Sequence, residues 1–410
     1  MRIFIGLFIS CLCFFASGQH SPVVFVHGML ASSDTWTKAS EAFLAAGYHQ
    51  KDLYFFDWNT LNPNRERAVE ELELFIKQAL KESKSKTISL VGHSAGGALS
   101  MSFIQDTKLG KKVIKYIHVG SMPITSNPPM PVMNLYSNAD LITGGKNYDF
   151  DNVINKPLED LDHYEIATAP EAVHEMVDFL KEKRVKPRRE EQLYLQIGGR
   201  VVTMGENQPE DQAQLAFYEV NPSNGERQSK SPFATIQTDK NGYWSLNRFK
   251  KTGLYEVIVS AKGDDKRKVH YYFHAPAFDT QLLYFRTLPS TGFAAMMFAT
   301  LPQDDRPCLV IYSASKSLIH GRDTLLINNQ NIITEKLASP KKTPISFFVY
   351  AADENKDELT GIPVFGSFPF LSGVNMYLAG NKPIQIENNS NIVFLYPVKS
   401  KDGIMVYIKP

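Results

Sequence analysis

The stretch Thr87-Ile88-Ser89-Leu90-Val91-Gly92-His93-Ser94-Ala95-Gly96 decides the fold of the N-terminal part of this 410-residue chain. Its first five residues are β-rich and predict a strand, and its last five match the pattern Gly-x-Ser-x-Gly. Residues 97–104 follow as the start of a helix. The serine of such a sharp turn has a strained backbone, and glycines flank it because larger side chains would clash. The turn exposes the Ser94 hydroxyl and directs the N–H of Ala95 to the same point, which predicts a nucleophile.

Strands and helices alternate on both sides of this turn. The predicted strands, rich in β-branched and aromatic residues, lie at 22–26, 53–58, 87–91, 113–119 and 132–136. The predicted helices lie at 34–46, 65–83, 97–104 and 170–183. Strands that alternate with helices are typical of βαβ units, so the sequence predicts an α/β domain with a mainly parallel sheet.

A serine hydroxyl is a weak nucleophile until a base takes its proton and a carboxylate orients that base. After a Gly-x-Ser-x-Gly turn, the acid and then the histidine follow in the chain. Asp140 is the predicted acid because it comes directly after the strand at 132–136. Asp149 and Asp151 are competitors that lack a preceding apolar strand.

The predicted base is His163, because it lies on a loop shortly before the last helix of the α/β part. His174 is the rival, but it falls inside that helix. His93 lies within the turn and His118 lies in the middle of a strand, and neither is assigned a catalytic task.

Two backbone N–H groups are needed to hold an oxyanion. Ala95 supplies one by its position, and Met29 after the strand at 22–26 is the expected second. Gly28 lets the backbone approach the site closely. The alternative is that His27-Gly28-Met29 forms an ordinary turn at the end of a strand.

Four motifs carry a resemblance to a known family, and they lie at 23–28, 92–96, 136–140 and 162–164. With them, residues 19–185 resemble an α/β-hydrolase of the esterase/lipase type. The whole chain is similar to microbial lipases that carry a C-terminal β-strand lipid-binding region, on its layout and on the segments 199–202 and 241–244. The resemblance implies an acyl-ester or lipid substrate. It also makes a lipid surface a candidate contact of the C-terminal part.

The composition changes along the chain and predicts its domains. They are a signal peptide at 1–18, an α/β-hydrolase catalytic domain at 19–185, a charged linker at 186–190, a β-sandwich module at 191–287 and a second β module at 288–410. The apolar stretches 292–298 and 365–371 are read either as core strands or as lipid contacts.

The N-terminal segment predicts where the protein is located. Arg2, the apolar run 3–15 and Ala16-Ser17-Gly18 are typical of a secretory signal peptide, which predicts export to the periplasm, the cell surface or the medium.

With 44 basic and 43 acidic residues, the net charge of +1 does not favour a nucleic-acid partner. The sequence shows no metal-ligand spacing and no phosphate-binding loop, so neither a metal nor a cofactor is predicted.

Several functions remain open on the sequence alone. The leading hypothesis is a secreted serine esterase or lipase. The same three residues would serve a polyester depolymerase or an acyltransferase. A third reading is a surface- or glycan-binding protein with a vestigial hydrolase domain. The short segments between Ser94, Asp140 and His163 leave little room for a large lid, unless the β modules cover the site.

Overall fold

A computed structural model of the chain describes residues 21–62, 64–181, 194–264, 268–299, 301–313, 315–339, 348–361, 364–368, 371–388 and 391–409. The predicted signal peptide at 1–18 and the predicted linker at 186–190 lie outside the described residues. Below, residues 21–181 are called the parallel-sheet domain, and residues 194–409 are called the β region. Among the described residues, no helix has both the length and the apolar character that a membrane span requires.

The parallel-sheet domain is built on six strands, all paired in parallel. They are β1 Val23–Val26, β2 Leu53–Phe56, β3 Ile88–His93, β4 Val113–Val119, β5 Val132–Ser137 and β6 Val153–Leu158, in the spatial order β2-β1-β3-β4-β5-β6. Every residue of β1 and β3 is buried, and the continuous apolar sequence of β1 is typical of a strand covered on both faces. The sequence did not predict β6, a partly exposed edge strand that contains Asn155, Lys156 and Pro157.

Helices cover both faces of this sheet. They are α1 Thr37–Ala45, α2 Arg65–Glu82, α3 Ala95–Asp106, α4 Glu165–Thr168 and α5 Pro170–Leu180, with 3-10 turns at Ser33–Trp36, Gln50–Asp52 and Leu109–Lys112. On one face, Phe43 of α1 and Met176 of α5 pack in a cluster with Phe25 of β1. On the other face, the apolar stripe of α2 packs with Phe103 of α3 and Leu90 of β3. The predicted α/β architecture with a mainly parallel sheet is confirmed.

The β region contains three further sheets among its described residues. Its strands are β7 Tyr194–Thr203, β8 Gln214–Val220, β9 Ala234–Gln237, β10 Tyr243–Lys250, β11 Leu254–Ser260, β12 Val269–His274, β13 Phe285–Thr287, β14 Leu309–Tyr312, β15 Leu325–Ile327, β16 Gln330–Asn331, β17 Phe348–Ala352, β18 Val364–Phe368, β19 Leu371–Asn375, β20 Ile384–Asn388, β21 Asn391–Leu395 and β22 Ile404–Ile408. Its helices are α6 Gly292–Phe298 and α7 Glu335–Ala338.

The sheets of the β region form layers around one large sheet. Its nine strands run in the order β18-β19-β17-β14-β22-β12-β11-β8-β9. One face packs against the three-stranded sheet β10-β7-β13 through an aromatic core, in which Trp244 and Phe285 stack with ring centroids 5.3 Å apart. The other face packs against the four-stranded sheet β16-β15-β20-β21. Along β22, Met405 and Val406 point to opposite cores, as the two-residue period of a strand requires.

The predicted boundary between modules 191–287 and 288–410 does not separate two sheets. β12 lies before this boundary and pairs in parallel with β22, so that Val269 lies opposite Ile404. β22 also pairs with β14, which places the last strand of the chain between two earlier ones. The large sheet thus joins residues from both predicted modules.

The apolar stretch 292–298 forms the helix α6, which corrects its interpretation as a core strand. Alanine and methionine favour a helix there. Ala294 and Phe298 are buried, while Met296 is exposed. In the other apolar stretch, residues 365–368 lie in β18 and residues 369–370 lie outside the described part of the chain.

Two buried ion pairs join the β region to the parallel-sheet domain. Arg286 Nη2 lies 2.9 Å from Asp34 Oδ2, and Arg200 Nη1 lies 2.7 Å from Asp57 Oδ2. Burial would raise the pKa of Asp57, but Arg200 and nearby donors more than offset this, so that its pKa is lowered. Asp34 follows β1 and Asp57 follows β2 directly, so the β region is fastened at the carboxyl-end edge of the parallel sheet.

Replacing Arg286 by methionine should therefore destabilise the protein strongly. The substitution leaves the Asp34 carboxylate buried without its guanidinium, which costs about 3–5 kcal/mol. Urea unfolding followed by circular dichroism measures the change. Lys399→Met is the control, because the Lys399–Asp305 pair is exposed and screened by solvent, so its loss should hardly change the free energy of unfolding. Equal effects of the two substitutions would contradict a role of the buried pair in docking.

Candidate active site

Ser94 occupies a sharp turn between β3 and α3, and its backbone is strained. Its φ is 54° and its ψ is −125°, a conformation that residues other than glycine rarely adopt. Hydrogen bonds of the Ser94 backbone hold this conformation in place. The Ser94 N–H donates to the Val119 carbonyl at 3.0 Å, and the Ser94 carbonyl accepts from the Gly97 N–H at 2.9 Å and from Ser121 Oγ at 2.6 Å.

The flanking glycines are required by close backbone packing. A Cβ on Gly92 would lie 2.7 Å from the Gly97 Cα, and a Cβ on Gly96 would lie 2.3 Å from the His27 carbonyl oxygen. Both distances are shorter than any tolerated carbon contact. The α3 helix can therefore approach β1 and β3 only with hydrogen atoms at these two positions.

The structure brings Ser94, His163 and Asp140 into one hydrogen-bonded chain. His163 Nε2 lies 2.9 Å from Ser94 Oγ, and His163 Nδ1 lies 2.9 Å from Asp140 Oδ2. A carboxylate only accepts, so Nδ1 carries the proton and Nε2 is left to accept from the serine hydroxyl. Ser94 follows β3 and Asp140 follows β5, so both lie at the carboxyl-end edge of the parallel sheet.

Asp140 is buried and held in its ionised form. Burial by itself would raise the pKa of this carboxyl. The hydrogen bonds and charge of His163, together with donors from Thr143 and Ile142, outweigh burial and lower the pKa to about 2. Thr143 Oγ1 donates to Oδ2 at 2.6 Å, and the Ile142 N–H donates to Oδ1 at 2.8 Å. The acid is thus fixed in charge and in orientation.

Gly120 leaves the space in which Asp140 and His163 meet. Its φ is +42°, and a Cβ there would lie 2.9 Å from Ile166 Cγ2 and 3.2 Å from Asp140 Oδ2. The sequence analysis did not single out this residue, and its only signal was the position of a glycine directly after the strand β4.

His93 has a contact that its sequence position did not predict. Its Nε2 lies 2.7 Å from the His163 carbonyl oxygen, so that this nitrogen donates, and the two imidazole rings lie 4.7 Å apart. Burial, followed by the proximity of His163, lowers the pKa of His93 to about 3, which keeps the ring neutral. Because His93 is joined to Ser94 by a peptide bond, this hydrogen bond links the backbones of Ser94 and His163.

The turn after β1 lies beside Ser94, where the sequence predicts an oxyanion-binding N–H from Met29. A Cβ on Gly28 would lie 2.9 Å from the Ser94 Cβ, which shows how closely this turn approaches the serine. The neighbouring Leu30 N–H donates to Thr60 Oγ1 at 2.8 Å. Ala95 begins α3, and the N–H of a first helical residue has no acceptor within its own helix.

The rival residues lie apart from this chain of hydrogen bonds. His174 is exposed on α5 and its Nε2 lies 3.3 Å from Asp178. Asp149 and Asp151 are exposed in the loop before β6. His118 is buried in β4, where burial lowers its pKa to about 4 and its Nε2 donates to the Met122 carbonyl. Among the described residues, His, Cys, Asp and Glu side chains form no group of three or more that could hold a metal ion.

Two family models match separate parts of the chain. A model described as lipase (class 2) matches residues 20–119, which include Met29 and the turn at Ser94. A model described as lipase C-terminal domain matches residues 193–289, which include β7 to β13. Asp140 and His163 lie outside both matches.

Solved structures of three hydrolases resemble part of the chain. An esterase from Rhodococcus sp. ECU1013 is 13% identical, with a TM-score of 0.32, over 40% of this chain and 91% of its own. A monoacylglycerol lipase from Paleococcus ferrophilus is 17% identical, with a TM-score of 0.31, over 39% of this chain and 95% of its own. Carboxylesterase CesB from Bacillus subtilis is 11% identical, with a TM-score of 0.30, over 40% of this chain and 84% of its own.

Replacing Gly120 by alanine should lower the rate of ester hydrolysis at least tenfold. The new Cβ would push against Ile166 and Asp140 and displace the acid from His163, and small displacements of reacting groups cost up to about 100-fold. Hydrolysis of p-nitrophenyl butyrate measures the effect. Gly263→Ala is the matched control, because Gly263 also has a positive φ of +71° but nothing within 4 Å of the added carbon. Equal losses in both variants would assign the effect to backbone strain alone.

Proposed function

We propose that this chain, a carboxylic-ester hydrolase of the lipase and esterase type with a lipase C-terminal domain, works through a catalytic serine and an acyl-enzyme. The observation that carries the proposal is the hydrogen-bonded chain from Ser94 through His163 to Asp140. In it, a strained turn presents the nucleophile, an imidazole nitrogen faces the hydroxyl, and an ionised carboxylate orients the imidazole.

In the proposed mechanism, Ser94 Oγ attacks the carbonyl carbon of the ester while His163 Nε2 accepts the hydroxyl proton. The N–H groups of Met29 and Ala95 stabilise the negative oxygen of the tetrahedral intermediate. Collapse of the intermediate breaks the ester bond, and the alcohol leaves with the proton from His163. Water then attacks the acyl-enzyme with His163 again as base, and this step releases the carboxylic acid and restores Ser94.

The charge of Asp140 supports this role. Since its pKa is about 2, the carboxyl is ionised throughout the pH range in which an imidazole can act as a base. It therefore holds the proton on His163 Nδ1 and stabilises the imidazolium that forms during attack. His93 stays neutral beside it, so it adds no positive charge next to the imidazolium.

Exposed apolar side chains favour an apolar acyl group in the substrate. Met29 follows β1, Met122 follows β4, and Leu141 and Ile142 follow Asp140, and all four are exposed. They lie beyond the carboxyl ends of β1, β4 and β5, at the same edge of the parallel sheet as Ser94 and Asp140. Apolar surface of this kind beside a reactive serine can bind the acyl chain of an ester. Contact of the β region with a lipid surface stays a prediction, for which Met296 of α6 is a candidate.

Replacing Ser94 by alanine should reduce kcat for p-nitrophenyl esters by roughly 10⁴-fold or more, because no other group can form the acyl-enzyme. A series of acyl chains from acetate to palmitate measures both the loss and the chain-length preference. His174→Ala is the control, since this exposed histidine pairs with Asp178 and should leave the rate unchanged.

The same series separates the alternatives. Full activity of Ser94→Ala would overturn the proposed nucleophile. Preferential transfer of the acyl group to an added alcohol would identify an acyltransferase, and preference for a polymeric ester would identify a depolymerase. No hydrolysis by the unaltered protein on any ester would favour a binding role of the β region.

Export is a further part of the proposal, and it rests on residues 1–18. The positive Arg2, the apolar run 3–15 and the small residues 16–18 are the three parts of a signal peptide. The full chain with a C-terminal tag, expressed in a bacterium, should be found in the periplasm, at the cell surface or in the medium. Its measured mass should be that of a chain that begins at Gln19. A variant with Leu7→Arg and Phe8→Arg should stay uncleaved in the cytoplasm. An unaltered chain that remains full-length in the cytoplasm would contradict export.

A further inference from the structure

The loop that carries His163 is held from the side of the β region. Asp162 precedes the histidine, and its Oδ1 accepts the N–H groups of Tyr164 at 2.8 Å and Glu165 at 3.0 Å. These bonds shape the turn that begins α4. Its other oxygen, Oδ2, accepts the Ser317 N–H at 3.1 Å, and Ser317 belongs to the β region.

Arg322 of the β region binds both acidic residues of this loop. Its Nη2 lies 3.1 Å from Asp162 Oδ2, and its Nη1 lies 2.8 Å from Glu165 Oε2. The guanidinium thus bridges the residue directly before His163 and a residue two positions after it. A planar fork of donors suits this bridging, and a lysine could not reproduce it.

Arg322 is itself fixed by its own loop. Its Nε donates to Asp323 Oδ2 at 2.9 Å, and its Nη2 donates to the Ser317 carbonyl at 2.7 Å. Asp323 Oδ2 also accepts the Ile319 N–H at 2.9 Å, which closes the loop. The side chain is therefore preorganised before it meets Asp162 and Glu165.

The two carboxylates of Asp162 and Glu165 make this contact depend on the positive charge of Arg322. Burial raises the pKa of Glu165, and the negative charge of Asp162 raises it further, because both disfavour the ionised carboxylate. The charge of Arg322 acts in the opposite direction and favours the ionised form. Without the guanidinium, Glu165 Oε2 would keep its hydrogen bond from the Asp162 N–H at 3.1 Å, but Arg322 would no longer offset the repulsion between the two carboxylates that flank His163.

We propose that Arg322 is a positioning residue for ester hydrolysis, which acts through Asp162 and Glu165 to hold His163 against Ser94. The inference rests on the proposed function, because it assigns Arg322 to the same site. Arg322 lies outside both matched segments, 20–119 and 193–289, so neither family match covers it. The active site is therefore complete only when the β region packs against the parallel-sheet domain.

The test compares Arg322→Gln, Arg322→Lys and the double variant Arg322→Gln/Glu165→Gln in the full-length chain. Arg322→Gln should lower kcat for p-nitrophenyl butyrate about 10- to 100-fold, with KM within about twofold, because the imidazole moves while the substrate loses no contact. Arg322→Lys should recover part of the rate through its charge. The double variant should also recover part of it, because one of the two repelling carboxylates is removed.

Arg306→Gln is the matched control. Arg306 also lies in the β region, has a similar exposure, and pairs with two acidic residues, Asp304 and Asp353. It should change kcat less than twofold. A kcat loss in Arg306→Gln as large as that in Arg322→Gln would overturn the proposal in favour of general destabilisation. Failure of the double variant to recover any rate would overturn it as well.

A second measurement separates this inference from the proposed function. The rate at which a p-nitrophenyl alkylphosphonate modifies the protein reports activation of the serine without an acyl substrate. If the phosphonate does not modify the unaltered protein, the proposed function itself is contradicted. A different result would overturn only the positioning role of Arg322 and leave the proposed function intact. In that result, the phosphonate modifies the unaltered protein and Arg322→Gln at the same rate and does not modify Ser94→Ala.

Discussion

The strained backbone of Ser94 is the constraint on which the rest of the structure depends. A positive φ at a serine persists only where the surroundings hold it, and here the Val119 carbonyl, Ser121 and the following helix do so. This in turn requires α3 to press against two strands, which the glycines at 92 and 96 permit. The parallel order of β1, β3, β4 and β5 then delivers the turn after β1, the serine and Asp140 to one edge. A sheet with another order would separate them.

Most of the parallel-sheet domain could be predicted from the sequence, because short stretches of neighbouring residues specify its strands, helices and turns. The apolar runs in β1 and β3 predicted buried strands. The chain order Ser94, Asp140, His163 predicted three groups that the structure brings together, with His163 2.9 Å from Ser94 Oγ and 2.9 Å from Asp140 Oδ2. Their catalytic roles stay predictions. Gly120 was missed because its function depends on what packs against it, and His93 was missed because its partner, the His163 carbonyl, is remote in sequence.

The β region was less predictable, and the reason is sequence separation. Its composition predicted β modules without specifying how their strands pair, and the pairing of β12 with β22 joins residues more than a hundred positions apart. No turn signal specifies such a pairing, and a predicted boundary at 287/288 consequently fell inside a shared sheet. The helix α6 was misread because a short apolar run is compatible with a strand or a helix, and its neighbours decide between them.

The buried ion pairs between the two parts explain how the β region is held against the loop that carries His163. A buried pair contributes little net stability, because desolvation of both ions offsets their attraction. It does discriminate strongly between orientations, since any other docking leaves a charge buried without its partner. Arg286 with Asp34, and Arg200 with Asp57, therefore fix the β region in one position on the carboxyl-end edge. In that position Arg322 reaches Asp162, whereas a sliding apolar interface would leave the His163 loop without a fixed contact.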